Sequence, residues 1–350
     1  MPEPKIYIIG AGLTGLTIAY LLQKKGIHAQ LLEANSRIGG RIETISGESG
    51  VTIEMGATWF SQQHPSLLAL LDELELPYFK QHTSGISLFE TMSFVPPQKF
   101  EIPETEAVSY RLEGGSMKLI NTLVAKIGLE NLKKDSKVIA LKLVNNQIEI
   151  TTEKGEIFIA DKVISTLPPH LLVQTITFDP KLPESLLQLA KKTHTWMGES
   201  IKFAVEYPTA FWKENNFSGT IFSQASIIQE MYDHSSSDHT KFALKGFLNG
   251  GTNTLSKDER KEKVIRQLIR FFGAEANNYT AYYEKVWRDE PLTFLPYEKL
   301  VMAHQNNGHA MYKNIFFEDK LYLSGSETAT QNPGYMDGAI NAAQSIASQF

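Results

Sequence analysis

The sequence predicts an α/β protein with two domains, and three observations carry that expectation. The first thirty-three residues read as one complete β-α-β unit, the middle holds a meander of alternating strands, and the C-terminal block reads as strand, loop and helix. At 350 residues the chain has room for about two domains. A chain of this size buries about 75% of its unfolded surface, enough to enclose an internal site.

Lys5 to Ile9 is a short β-rich apolar run, as expected of a buried parallel strand. It ends in Gly10-Ala11-Gly12-Leu13-Thr14-Gly15, a G-x-G-x-x-G. A helix follows, with Leu16, Ala19, Tyr20 and Leu22 as its apolar positions, and it stops at Gly26 after Lys24 and Lys25. A second strand, Ile27 to Leu32, leads to Glu33. This is the pattern of a Rossmann-like dinucleotide site. Gly10 permits the tight turn, Gly12 lets the backbone approach a pyrophosphate, and Gly15 lets helix and strand pack closely. The helix N-terminus, near Ala11 and Thr14, offers free N–H groups and a positive dipole end to phosphate. Glu33 stands 18 residues after Gly15, placed to accept hydrogen bonds from an adenosine ribose, and an acid there disfavours a 2′-phosphate and hence NADP.

Composition removes other classes. The chain has 34 Lys and Arg against 39 Asp and Glu, a formal net charge of −5, which argues against a nucleic-acid partner. It has no cysteine, which excludes disulfides, zinc–thiolate sites, cysteine-ligated clusters, a cysteine nucleophile and a cysteinyl flavin tether. No apolar run reaches the roughly 18 residues of a membrane span, and residues 1–5 do not read as a secretory leader, so a cytoplasmic protein is expected. Asp233 to His239 contains every member of a hydrolytic triad, but lacks a nucleophile elbow and reads as a solvated loop. His304 and His309 are five apart, off the spacing of a helical metal pair, so no metal is assigned.

Further along, Val138 to Val144 and Ile148 to Thr152 flank Asn145-Asn146 as a hairpin, and Lys162 to Ser165 reads as another strand. Residues 61–110 read as a polar stretch with one helix, about Pro65 to Leu76. In Ser200 to Tyr207, alternation puts Ile201, Phe203, Val205 and Tyr207 on one strand face and Lys202 on the other. From that pattern alone Lys202 reads as exposed.

Several segments together resemble the flavin-containing amine oxidase family. Glu33-Ala34-Asn35-Ser36-Arg37-Ile38-Gly39-Gly40-Arg41 is similar to the family's extension of the dinucleotide motif, and Gly56-Ala57-Thr58 to its second glycine segment. Ser324-Gly325-Ser326-Glu327-Thr328-Ala329 followed by Gly334-Tyr335-Met336-Asp337-Gly338-Ala339 resembles the monoamine oxidase signature. The resemblance implies FAD, a GR2-type cofactor domain with a central parallel sheet plus β-meander, and a smaller α+β substrate domain. The boundaries it suggests are 1–62, 111–190 and 292–350 for the first, and 63–110 and 191–291 for the second. Between Phe60 and Glu113 lie only 52 residues, so the substrate part is short beside monoamine oxidases.

Residue by residue, the resemblance makes Arg37, Gly39, Gly40 and Arg41 phosphate-side residues and places Val138 at the adenine. Gly325, Glu327, Gly334, Met336 and Ala339 fall along the diphosphate and the flavin. Lys202 matches the lysine that binds a water against flavin N5, and Tyr335 matches one wall of an aromatic cage. Trp287 matches a family tryptophan, and counting from it puts Tyr297 at the second wall, with Phe294 as the alternative. The covalent cysteine falls at Pro296, so FAD is expected to be non-covalent. The implied reaction is oxidation of a small-molecule amine to an imine by hydride-equivalent transfer to flavin N5, with O2 reduced to hydrogen peroxide. The rival readings are a porphyrinogen- or carotenoid-type flavoenzyme, a renalase-like oxidase of reduced nicotinamides, and an idle flavoprotein. Oligomeric state is not legible.

Overall fold

The computed structural model describes residues 4–103 and 108–350. Strand β1 (Ile6–Ile9), helix α1 (Leu13–Lys24) and strand β2 (Ala29–Leu32) form the expected unit. β1 is the centre of a five-stranded sheet ordered Leu321–Leu323, Lys162–Ser165, β1, β2, Leu132–Lys133, and every pairing in it is parallel. A parallel sheet needs cover on both faces. α1, the helix Met117–Ile127 and the C-terminal helix Met336–Ala347 supply one cover, sharing a core with Leu16, Ile120 and Ile340. The meander covers the other, with Leu141, Ile148 and Ile150 packed beside Ile9 and Leu323.

The meander is built as the sequence implies. Val138–Val144 pairs antiparallel with Gln147–Thr152, which pairs with Ile157–Ala160. Asn145 and Asn146 carry φ of 47° and 63°, the two left-handed positions that a tight type I′ hairpin requires.

A second, seven-stranded sheet has four central strands, β3 (Ile201–Tyr207), β4 (Phe217–Ser223), β5 (Ile228–Asp233) and β6 (Phe242–Leu248). Its order is Ala281–Val286, β3, β6, β5, β4, Ile86–Glu90, Gln98–Glu101. Ile201, Phe203, Val205, Leu244 and Met231 turn one face onto helix α2 (Lys257–Phe272), which is started by a Ser256–Glu259 capping box. The opposite face carries Lys202, Lys245 and Phe247 and meets the segment Gly56–Trp59.

The stretch 61–110 holds more than the single helix expected. Helix Pro65–Glu73 is there, but so are strands Tyr78–Lys80, Ile86–Glu90, Gln98–Glu101 and Tyr110–Leu112. Polar side chains hid them. Ser87 and Glu90 in Ile86–Glu90 are fully buried, with Glu90 held by Arg270, Ser223 and Gln267 rather than by water.

Candidate active site

A cavity of about 310 Å³ runs from the β1–α1 turn, past the Glu33–Arg41 loop, to the N-terminus of the C-terminal helix. The sequence-predicted Gly10, Gly12 and Thr14 line its first part, and Glu33, Ala34, Arg37, Gly39, Gly40 and Arg41 its flank. Val138 lines it from the meander, and Ala57, Gly334, Tyr335, Met336 and Ala339 from the far end. Ala11, Gly15, Gly56, Thr58, Trp287, Gly325 and Glu327 stand behind this lining, and each is tied to a residue in front of it or shapes the turn that carries one.

Two helix N-termini open on the cavity. The first turn of α1 has no side-chain cap and no acid, so its N–H groups and dipole end face the space alone. The C-terminal helix begins at Tyr335, also without a side-chain cap. Its one acidic first-turn residue, Asp337, is engaged elsewhere, accepting from Leu67 N at 2.9 Å and Asn332 Nδ2 at 2.8 Å.

The glycine loop has the form a diphosphate needs. Gly10 has φ +101°, and a Cβ there would lie 2.8 Å from Thr166 Oγ1. A Cβ on Gly15 would overlap the Gly10 carbonyl, so the helix can sit this close to β1 only as glycine. A Cβ on Gly12 would meet nothing nearer than Gly40 Cα at 3.9 Å, which leaves that position open for a ligand rather than for protein. Glu33 accepts from Ala11 N at 2.7 Å and Asn35 N at 2.8 Å, and burial holds its carboxyl above the usual range.

Arg41 reaches back to the C-terminal block. Its guanidinium donates to Ser326 Oγ at 2.7 Å and to Glu327 Oε2 at 2.9 Å. Glu327 is fully buried, and its Oε1 lies 2.6 Å from Arg41 Nη1 but out of line for a hydrogen bond. That leaves one buried oxygen of this pair under-satisfied beside the cavity. Trp287 donates to Met55 O at 2.7 Å, which supports the strand end just before Gly56, and its ring lies 5.7 Å under Arg37.

Behind the lining residue Ala57, Lys202 is buried, 5% exposed, and its amine donates to the Gly56 carbonyl. Burial holds its pKa down to about 8, against the opposing pull of Glu54 and Glu230. Tyr335 is 38% exposed and lies against Trp196 at 5.5 Å and His304 at 5.9 Å, with Trp196 and His304 stacked at 4.2 Å. Tyr297 is placed differently. Its hydroxyl accepts from Thr195 N at 2.7 Å and donates to Thr193 O, and its ring packs on His170 at 4.4 Å and edge-on to Phe294 at 5.7 Å. His194 and Trp196 link the two tyrosines through ring contacts.

The profile of the flavin-containing amine oxidoreductases matches residues 13–91 and 76–349 of this sequence. The chain belongs to that family. It is a flavin-dependent amine oxidase, an oxidoreductase that acts on amines, with FAD as its non-covalent cofactor; the glycine turn, the paired helix N-termini and the arginine-bearing loop fit that group. A probable flavin-containing monoamine oxidase A of Dictyostelium discoideum is 24% identical over 441 residues, covering 96% of this chain and 95% of its own. A putrescine oxidase of Kocuria rosea is 22% identical, with 83% of each chain covered. In structure, the amine oxidase superposes on cyclohexylamine oxidase from Brevibacterium oxydans with a TM-score of 0.87 at 19% identity, covering 99% of this chain and 98% of the other. No helix among its described residues is long and apolar enough to cross a membrane.

The amine oxidase also differs from the sequence reading. Lys202 is not on a solvent face, because the face opposite α2 is covered by Gly56–Trp59. The stretch from Asp233 is not wholly a solvated loop: Asp233, His234 and Ser235 are each 1% exposed. Asp233 accepts from Trp212 Nε1 and the Ser235 hydroxyl, both at 3.0 Å, while His234 Nε2 accepts from Glu54 N at 3.2 Å and its Nδ1 meets Arg111. Serine faces aspartate rather than histidine, so the groups are structural and no triad forms. Residues missed from sequence include Trp196, His304 and, above all, Lys245. Lys245 is fully buried, donates to Thr58 Oγ1 and lies 4.2 Å over the Trp59 ring. Burial, then the neighbouring Lys202, push its amine well below the ordinary value. Its signal was available: β6 alternates, and Ala243, Lys245 and Phe247 share the face of Lys202.

Proposed function

We propose that this protein oxidises the C–N bond of a neutral amine to an imine, with O2 as the electron acceptor and hydrogen peroxide as product. Bound FAD supplies the hydride acceptor, so the chain's own residues have to position, desolvate and deprotonate. What supports this reading is that the buried Lys202 amine donates to the carbonyl of Gly56, next to Ala57, which lines the cavity together with Tyr335 and an open helix N-terminus. We assign Lys202 to hold a water at the flavin edge, Tyr335 to form one aromatic wall, and Tyr297 to support the second. Phe294 keeps Tyr297 in place from the core, where it is 1% exposed. An aromatic, largely dry site disfavours an ammonium ion, so the bound substrate is the free amine. The division into a cofactor part (1–62, 111–190, 292–350) and a substrate part (63–110, 191–291) is part of the same proposal.

Anaerobic mixing with a panel of amines, reduced nicotinamides and a porphyrinogen tests it. Bleaching of flavin absorbance by amines alone, followed on aeration by one hydrogen peroxide per amine consumed, is the expected result. Bleaching by a reduced nicotinamide or porphyrinogen instead, or by no donor, rejects it.

A further inference from the structure

Two buried lysines, not one, converge on the segment that reaches the cavity at Ala57. Lys202 on β3 is registered with Phe247 on β6, and Ala204 with Lys245. Lys202 and Lys245 are thus diagonal neighbours on one sheet face, about 7 to 8 Å apart at the backbone, so both amines can reach the same loop. Lys202 donates to the Gly56 carbonyl and Lys245 to Thr58 Oγ1. Thr58 in turn donates its hydroxyl to the Gly56 carbonyl at 3.0 Å. A hydrogen-bonded bridge therefore runs from Lys245 through Thr58 and Gly56 to Lys202, and all four residues are buried. Its backbone is held from the other side, where Gly56 N donates to Glu43 O at 2.9 Å and Ala57 N to Arg41 O at 3.0 Å.

The reaction proposed above uses Lys202 and gives Lys245 no task. The Lys245 amine is cut off from water, with Thr58 as its acceptor and the Trp59 ring 4.2 Å away. Among the described residues no carboxylate oxygen lies within 4 Å of either amine. A methionine would fill the same space without the cost of burying a polar group, so packing alone does not account for an amine here. Burial, the Lys202 charge and Arg111 push Lys245 well below its ordinary value, against the pull of Glu54 and Glu230. Lys202 is held only to about 8, so at neutral pH it keeps the proton and Lys245 is an uncharged donor. Lys245 acts by geometry rather than by charge.

We propose that Lys245 is a positioning residue for Lys202, acting through Thr58 to fix the Gly56 carbonyl on which the Lys202 amine rests. This rests on the reading above, in which Lys202 holds a water at the flavin edge. Without the Lys245 donor the Thr58 hydroxyl is free to turn away from Gly56, and the carbonyl loses one of the two groups that define its direction.

The test is a double-mutant cycle on the FAD-loaded enzyme, comparing the parent, K245M, K202M and K202M/K245M by stopped-flow absorbance. The step followed is whichever of flavin reduction by amine and reoxidation by O2 is slowed in K202M. In K245M its limiting rate should fall about 10-fold, the upper end for one uncharged hydrogen bond, with FAD retained and the half-saturating amine concentration within about twofold of the parent. Added to K202M, the same change should alter the rate by less than about twofold, because its route of action is gone. T58V, which keeps the volume and removes the linking hydroxyl, should repeat both results and decides the matter if K245M does not hold FAD. Undiminished limiting rates in K245M and T58V overturn the proposal, as does equal slowing with and without Lys202, while amine oxidation stands. Failure of every amine to bleach the flavin, or a K202M variant as fast as the parent, rejects the underlying reading and this proposal with it.

Discussion

In the proposed reaction Lys202 is the side chain that holds water at the flavin edge. It sits on β3, where every residue is buried, and its amine has exchanged water for the Gly56 carbonyl and the face of Phe247. Replacing Lys202 by Met keeps the volume and removes the donor. We expect FAD content to be unchanged and flavin reduction or reoxidation to slow by about 100-fold, the scale seen on removing one preorganised donor; stopped-flow absorbance checks it, and unaltered rates would reject the role. The same burial has a pH signature. With its pKa held near 8 in the folded chain and at its ordinary 10.5 when unfolded, Lys202 binds fewer protons folded than unfolded between those values. Stability should therefore rise as pH climbs from about 8 to 10.5, by up to about 3 kcal/mol from this group. Denaturant melts across that window should show the rise in the native sequence and a shallower one in K202M.

At the scale of elements, the β1–α1 turn separates two kinds of glycine. Gly12 faces ligand space and Gly15 faces the Gly10 carbonyl. Gly12→Ala should melt like the parent as apoprotein yet bind FAD at least 10-fold more weakly, whereas Gly15→Ala should lower the apoprotein's melting temperature outright. Flavin fluorescence titration and thermal melts distinguish them. This turn was legible in sequence because local spacing alone dictates it, and so were the Asn145-Asn146 hairpin and the C-terminal strand and helix. The seven-stranded sheet was harder to read. Ile86–Glu90 buries a serine and a glutamate whose partners, such as Ser218 and Arg270, lie more than a hundred residues away. Lys245 and His234 likewise read as solvent-seeking until Thr58, Glu54 and Arg111 are brought to them. Tyr335 could be placed from its motif. The rings that meet it, Trp196 and His304, come from segments with no local pattern to announce them.

Across the whole molecule, the ion pair between Arg41 and Glu327 joins segments 286 residues apart. Removing the guanidinium strands a fully buried carboxylate, so Arg41→Ala should destabilise the protein by about 3 to 5 kcal/mol. Adding Glu327→Gln should restore part of that, read by denaturant unfolding with FAD occupancy measured in parallel. The same long reach appears in the parallel sheet, where Leu321–Leu323 is an edge strand beside Lys162–Ser165, itself beside β1. Met336 and Ala339 then close the cavity from the last helix. This order of assembly has a meaning for biosynthesis. A ribosome that has released the glycine turn and Glu33 has made one end of the cavity, but the other end waits for the helix Met336–Ala347. Cofactor capture thus waits for the segment around Tyr335, and a polypeptide stalled or clipped before it would leave synthesis as a colourless protein.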